Sequence, residues 1–452
     1  MKIYLSSDLF LHPWDERYHA LVAKNMLNHP LRPTLFETPF LDYDYKMWTY
    51  NHIWVHKQPL PLWSIMSSLA LFGVNTFAVR IPSILLTSLG AIISYQFGKR
   101  LFSRRVGFFA SGFYSINGLI LEISSGRIAT DHVDIFFLFF VQLAVYLAWE
   151  FAQRKSIYLN ILCGIAIGLA ILSKWLPALI VLPIWGGFLL HFRQFRFKEI
   201  LFHGLTLIAV IALIALPWQI YIHSAFPLEA VWESSFNKQH LFEVLDVQAQ
   251  PWYYHFTMLR INYGELIYLP LIWFAFKTIR KRTNWKYWSI LIWITIPYIF
   301  FSLAMTKMQG YTLFAAPAVF LVLALFIDYL IRFRKRFNYR WVPVLGIILL
   351  IALPIRFSLE RLKPFQTVAT PEWQQDIDDI AKEIKHQKKV IVFNVNRPIE
   401  LMFHSNCTAY NTIPSSEKIA KLIKDGGTIY INQKTEMEQT EIRKIWYPSL
   451  AE

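Results

Sequence analysis

The chain has 452 residues, of which 55% are hydrophobic, 17% aromatic and only 17% charged. That balance is far more apolar than a soluble domain of this size needs and excludes an ordinary water-soluble fold. The formal charge of +15 implies no nucleic-acid partner, because Lys and Arg gather in short loops between apolar runs, where they report membrane topology.

From the N-terminus, the residues before Trp14 lack a sustained apolar core, since Ser6, Ser7, Asp8 and His12 interrupt it, so no signal peptide or span is read there. Asp15 and Glu16 then open DERYHALVAKNML, whose Ala20, Ala23, Met26 and Leu27 recur at helical spacing. Two acids in a first turn complement a helix dipole, so they are helix-starting residues or part of a site. NHIWVHKQPLPLW follows, leading into an apolar run from Leu60 to Val74 that is too short to cross a bilayer and carries Pro59 and Pro61. It is read as an amphipathic or re-entrant helix on the outer face.

A spanning helix needs about 20 largely apolar residues, because backbone polar groups cannot stay unpaired in hydrocarbon. That test predicts spans near 78–98, 106–122, 131–151, 157–173, 175–191, 199–222, 262–279, 287–303, 311–331 and 341–357. Alternate loops hold nineteen Lys and Arg, from Lys99 to Arg340, and the loops between them only five: Arg127, Lys174, Lys238, Arg260 and Lys307. The first set is cytoplasmic by the positive-inside rule. Residues 1–77 then lie outside, which leads to the expectation that a first span precedes Met1. Beyond about residue 358 the pattern changes to TPEWQQDIDDIAKEIKHQ, KKVIVFNV, SSEKIAKLIKDGG and TIYIN, read as alternating helix and strand. The expected fold class is an all-α polytopic membrane protein of about ten spans with interfacial helices and a small extracytoplasmic α/β domain. Its parts are an outer-face catalytic loop (1–77), a transmembrane core (78–357) and the soluble domain (358–452).

Unusual polar residues collect on the outer face. Asp131 and Asp134 lie one turn apart at the outer end of a span, with Arg127 a turn earlier; they are a helix ion pair or a functional acid, Asp131 lying nearer the water. Lys57 is either a snorkelling rim residue or a site cation. Lys174 and Lys307 are each the lone cation of an outer turn, and such cations can converge on a phosphate. His240 and His255 lie in the long outer loop, where a surface histidine is the default. A metal site from His56, His240 and a carboxylate is chemically reasonable, although no short-spaced ligand motif marks one. These pieces fit an outer-face transferase, in which an acid takes a hydroxyl proton and cations stabilise a departing phosphate. They also fit a transport path, though the chain has only 17 Gly and no evident repeat.

The order of DERYHALVAKNML, HKQPLPLWSIMSSLALFGVNTFAVRIPS, GKRLFSRRVG, GRIATDHVDIFF, GLAILSKWLP, LPWQIYI, QHLFEV with PWYYHF, and TKMQGYTLFAAPA resembles the GT-C membrane glycosyltransferases, in the branch of protein O-mannosyltransferases and aminoarabinose lipid A transferases. The resemblance implies inverting transfer from an undecaprenyl-phosphate sugar to a lipid A, glycan or protein acceptor at the outer face of the inner membrane, within membrane lipid. It implies Asp15 as general base and Asp131 as second acid. Lys57 would hold the donor phosphate, Lys307 and Tyr311 would line the cavity, and Glu16, Tyr18 and Lys174 would lie around it. His240, with His56, would be the ligands if a divalent metal ion is used. The chain departs from the family where His56 replaces a common glutamate, and where Tyr18 stands in place of an arginine, with Arg17 adjacent. A lipid-linked glycan transporter or polymerase is the alternative, and a non-catalytic membrane subunit a third reading.

Overall fold

A computed structural model describes residues 2–128, 132–245, 248–366, 369–434 and 440–444. The chain is mostly helical. Among the described residues, seven helices are long and apolar enough to cross a membrane: Thr76–Leu101, Val133–Arg154, Ile157–Lys174, Phe197–Ala225, Trp285–Leu303, Gln309–Arg336 and Trp341–Leu362. The run predicted near 106–122 is a bent pair, Arg104–Ile116 and Gly118–Ser124, turned through 51°. Asn117 makes the break: its side chain caps the second helix by accepting from the Ile120 amide, and it donates to the Asn262 carbonyl at 2.7 Å. The runs predicted near 175–191 and 262–279 fall on the shorter apolar helix Leu176–Phe192 and on Tyr268–Arg280. Pro59–Phe72 is likewise only 14 residues long, with proline in its first turn and Gly73 at φ 81° ending it, which fits a helix too short to span.

Helices pack closely where side chains are small. A Cβ on Gly98 would come within 2.7 Å of the Gly107 backbone, so these glycines let Thr76–Leu101 and Arg104–Ile116 approach. The main core lies among the spans, around buried Phe97, Phe137, Trp293 and Phe320.

Beyond residue 371 the chain leaves this pattern. Four strands, β1 (Val390–Phe393), β2 (Cys407–Ala409), β3 (Thr428–Lys434) and β4 (Thr440–Lys444), form a sheet in the order β2-β1-β3-β4. β1 runs parallel to β2 and β3, while β4 is antiparallel to β3. Helices Glu372–Ile384, Pro398–His404 and Ser416–Lys424 accompany the sheet, and the apolar run VIVF of β1 is buried throughout, as a central parallel strand requires. One apolar cluster joins Ile377, Ile380, Val392 and Met402 of this part to Tyr18, Leu21, Val22 and Met26 of helix Asp15–Asn25. Segments that share a core share a face of the membrane, so the number of crossings between them is even. The seven long helices with the bent pair as one more satisfy that parity.

Candidate active site

Trp14, at φ 69° and ψ −127°, turns the chain sharply into helix Asp15–Asn25 and presents Asp15 at its start. A bulky residue in that backbone region costs about 1–3 kcal/mol and persists only where its surroundings impose it. The next residue supplies the constraint. Glu16 accepts from Arg80 Nε at 2.8 Å and Nη2 at 3.0 Å, and from the His12 amide at 2.7 Å. Its Oε1 also lies 3.2 Å from His132 Nε2. Arg80 is fully buried and spends its remaining donors on the carbonyls of Ser6, Asp8 and Phe10, so all five N–H groups are satisfied. Burial alone would raise the Glu16 carboxyl, but the Arg80 charge and hydrogen bonds, with His132, hold it well below the usual carboxylate range. Gly126 closes over this carboxylate at φ 73°, where any Cβ would collide with it. Arg127 adds a two-pronged contact to Asp8, at 3.0 and 3.1 Å.

Above this fixed base, Asp15 and Lys57 meet. Lys57 Nζ lies 3.8 Å from Asp15 Oδ1, and the two side chains keep 24% and 19% of their exposure. Both are therefore held yet reachable. The loop carrying Lys57 is anchored through its neighbour: His56 stacks on Trp48 at 4.6 Å and 3°, and its Nδ1 lies 3.0 Å from Glu233 Oε2 on helix Pro227–Phe242.

Asp134, in the first turn of Val133–Arg154, and Lys174, at the end of Ile157–Lys174, form an ion pair, and Lys174 Nζ lies 5.0 Å from the ring centroid of Tyr311. Gly310, beside Tyr311, leaves room for the Asp134 carboxylate that a Cβ would fill. Lys307 is 5% exposed, donates to the Ala304 carbonyl at 2.6 Å, and lines a cavity of about 490 Å³ with Ser302, Leu303, Gln250 and Trp252. Thr306 pairs with Ala249 to close that loop. His255 is buried nearby; burial, with the Lys307 charge beside it, pushes its imidazole down to about 4.

The structure thus brings Asp15 to Lys57, Glu16 to Arg80 and His132, and Lys174 to Asp134 and Tyr311. Tyr18 is buried, packed edge-on to Trp48 at 4.9 Å. Asp131 lies outside the described residues; its neighbour His132 contacts Glu16. Arg17 points to Glu400 at 3.1 Å. His240 sits seven residues beyond Glu233 on one helix, about 10 Å along its axis, with its Nδ1 3.0 Å from the Phe236 carbonyl. His56 and Glu233 offer a metal two donors, fewer than the three of a protein-built site, and no group of three His, Cys, Asp or Glu gathers among the described residues. Sequence reasoning missed Glu233, Arg80 and His132 as partners; a buried-charge pattern within NTFAVRIPS could have pointed to Arg80.

Residues 56–221 match the family model for dolichyl-phosphate-mannose-protein mannosyltransferase. An undecaprenyl phosphate-alpha-4-amino-4-deoxy-L-arabinose arabinosyl transferase of Pseudomonas fluorescens is 29% identical over 265 residues, covering 56% of this chain and 46% of that protein. The match therefore spans about half the relative's length. ArnT from Cupriavidus metallidurans bound to undecaprenyl phosphate superimposes with a TM-score of 0.69 at 17% identity, over 95% of this chain and 90% of that one. The chain has the GT-C fold and is similar in sequence to the aminoarabinose-transferase and O-mannosyltransferase branch. Within the GT-C fold more widely, the archaeal oligosaccharyltransferase AglB of Archaeoglobus fulgidus, solved with an inhibitory peptide and a dolichol-phosphate, matches with a TM-score of 0.57 at 15% identity, covering 94% of this chain and 66% of that one.

Proposed function

We propose that the chain is an inverting glycosyltransferase that moves a sugar from a polyprenyl-phosphate donor to a hydroxyl of a lipid, glycan or protein at the extracytoplasmic face of the inner membrane. The observation that carries this reading is the Lys57–Asp15 pair at 3.8 Å, partly open to solvent, at the end of an apolar helical bundle. In the resting protein each group neutralises the other. An entering donor phosphate takes Lys57 as its partner and releases Asp15 to face the acceptor. The acceptor oxygen then attacks the anomeric carbon, the carbon–oxygen bond to phosphate breaks, and the acceptor proton passes to Asp15. The leaving group departs as a phosphate anion, so cations serve it better than a general acid does. Lys57 supplies that charge, and Lys307, beside an apolar cavity, suits the same lipid-linked anion.

No step is assigned to a metal. The His56–Glu233 pair at 3.0 Å braces the Lys57 loop. The shorter helices Leu176–Phe192 and Tyr268–Arg280 are proposed to cross with the others, giving ten crossings, an even number that keeps residues 15 and 400 on one face.

The test is transfer from a labelled polyprenyl-phosphate sugar by purified protein. Asp15→Asn and Lys57→Ala should each lower turnover by at least about 100-fold, within the range of positioned acid–base and charge-stabilising groups. Unchanged turnover in both removes the mechanism.

A further inference from the structure

The proposed chemistry uses one side of helix Asp15–Asn25. The other side carries two cations that it leaves unexplained, Arg17 and Lys24, and both end on helix Pro398–His404 of the C-terminal sheet region. A cation in a first helical turn sits at the unfavourable end of the dipole, so Arg17 needs a specific partner. It has one in Glu400, whose Oε1 accepts from Arg17 Nη1 at 3.1 Å and whose side chain is fully buried. Arg397 approaches the same carboxylate at 3.5 Å.

Lys24, seven residues on, lies on the same face, about 10 Å further along the axis. Its ammonium donates to the carbonyls of Met402, Phe403 and Ser405 at 2.7, 3.1 and 2.6 Å, at the C-terminal end of Pro398–His404. The two cations grip opposite ends of that short helix. Between them the shared apolar cluster of Tyr18, Leu21 and Val22 with Ile399 and Met402 excludes water. Together these contacts hold helix Asp15–Asn25 near both of its ends, at Arg17 in the first turn and at Lys24 in the last.

We propose that Glu400 is a positioning residue: through Arg17 it fixes the start of helix Asp15–Asn25, and so the placement of Asp15 against Lys57, with Lys24 as the second point of the clamp. The C-terminal region is on this view part of the site's scaffold. The proposal rests on the role given to Asp15 above, and its test separates the two.

Two readouts on the full-length protein in lipid nanodiscs decide it: hydrogen–deuterium exchange of the amides of residues 18–25, and kcat for sugar transfer by monodisperse protein. Glu400→Gln should raise exchange at least fivefold. It should also lower kcat by about 10- to 100-fold, the scale of a 1 Å misplacement, with KM for donor and acceptor within twofold. Arg17→Lys, which keeps the ion pair, should retain kcat within threefold. If Glu400→Gln does not give monodisperse protein, Lys24→Met carries the same readouts with the same expectations. Unchanged exchange overturns the clamp whatever the activity. Raised exchange with unchanged kcat overturns its role in positioning. If the unmodified protein transfers no sugar, the functional reading fails, and exchange alone decides the clamp.

Discussion

Lys57 and Asp15 are partly exposed groups, and their ion pair, long at 3.8 Å, is worth about 1 kcal/mol or less. Their substitution therefore reads chemistry with little disturbance of the fold. Glu16 is the opposite case. Its partner Arg80 is fully buried, and breaking a buried pair by removing one charge costs about 3–5 kcal/mol, so Arg80→Met should lower the thermal midpoint sharply or prevent folding. Because the Glu16 carboxyl is held low in the folded state, its stabilisation is full above the ordinary carboxylate range and is lost only as pH falls through the depressed value. Acidification from pH 7 to 5 should leave it intact. His255 behaves differently: its folded value of about 4 lies below the usual 6.5, so the unfolded chain binds the proton first and stability falls as pH drops from about 6.5 to 4. Unfolding midpoints across that window should fall less in His255→Phe than in the unmodified protein. At this scale the sequence made Asp15 and Lys57 stand out, because ionisable groups are costly beside apolar runs. It could not show Glu233 or Glu400, whose partners lie 177 and 383 residues away. Pairing across such distances leaves no period in the chain.

At the level of elements, long apolar helices were legible because their length alone answers the bilayer's demand. The bend at Asn117 was not, since its cause is a side-chain cap and a bond to the Asn262 carbonyl rather than a proline. The shorter helices Leu176–Phe192 and Tyr268–Arg280 could not be told from full-length spans in the sequence, because apolar composition looks alike at 13 and at about 20 residues. The turn at Gly126 is another such case: its φ of 73° and its contact with the Glu16 carboxylate leave no room for a side chain. Gly126→Ala should destabilise the protein by about 1–3 kcal/mol, measured as a lower midpoint in detergent. It should also lower turnover, because the displaced carboxylate is adjacent to Asp15.

For the whole molecule, the shared core between helix Asp15–Asn25 and the C-terminal sheet region ties the two ends of the chain to one side of the membrane. Charge counts alone reach the same arrangement by alternating loops, and the two arguments are independent. A cysteine placed at exposed Asp425, in the turn before Gly426, should react with a membrane-impermeant maleimide in cells whose outer barrier has been opened. One at Arg336, in the basic loop, should not. The phosphate-binding role of Lys57 is tested most directly by equilibrium binding of undecaprenyl phosphate to the unmodified protein, Lys57→Ala and Asp15→Asn. It predicts that Lys57→Ala binds at least about tenfold more weakly, the loss of one charge-assisted contact, while Asp15→Asn binds no more weakly than the unmodified protein because Lys57 is freed. Equal affinity of Lys57→Ala and the unmodified protein would contradict it.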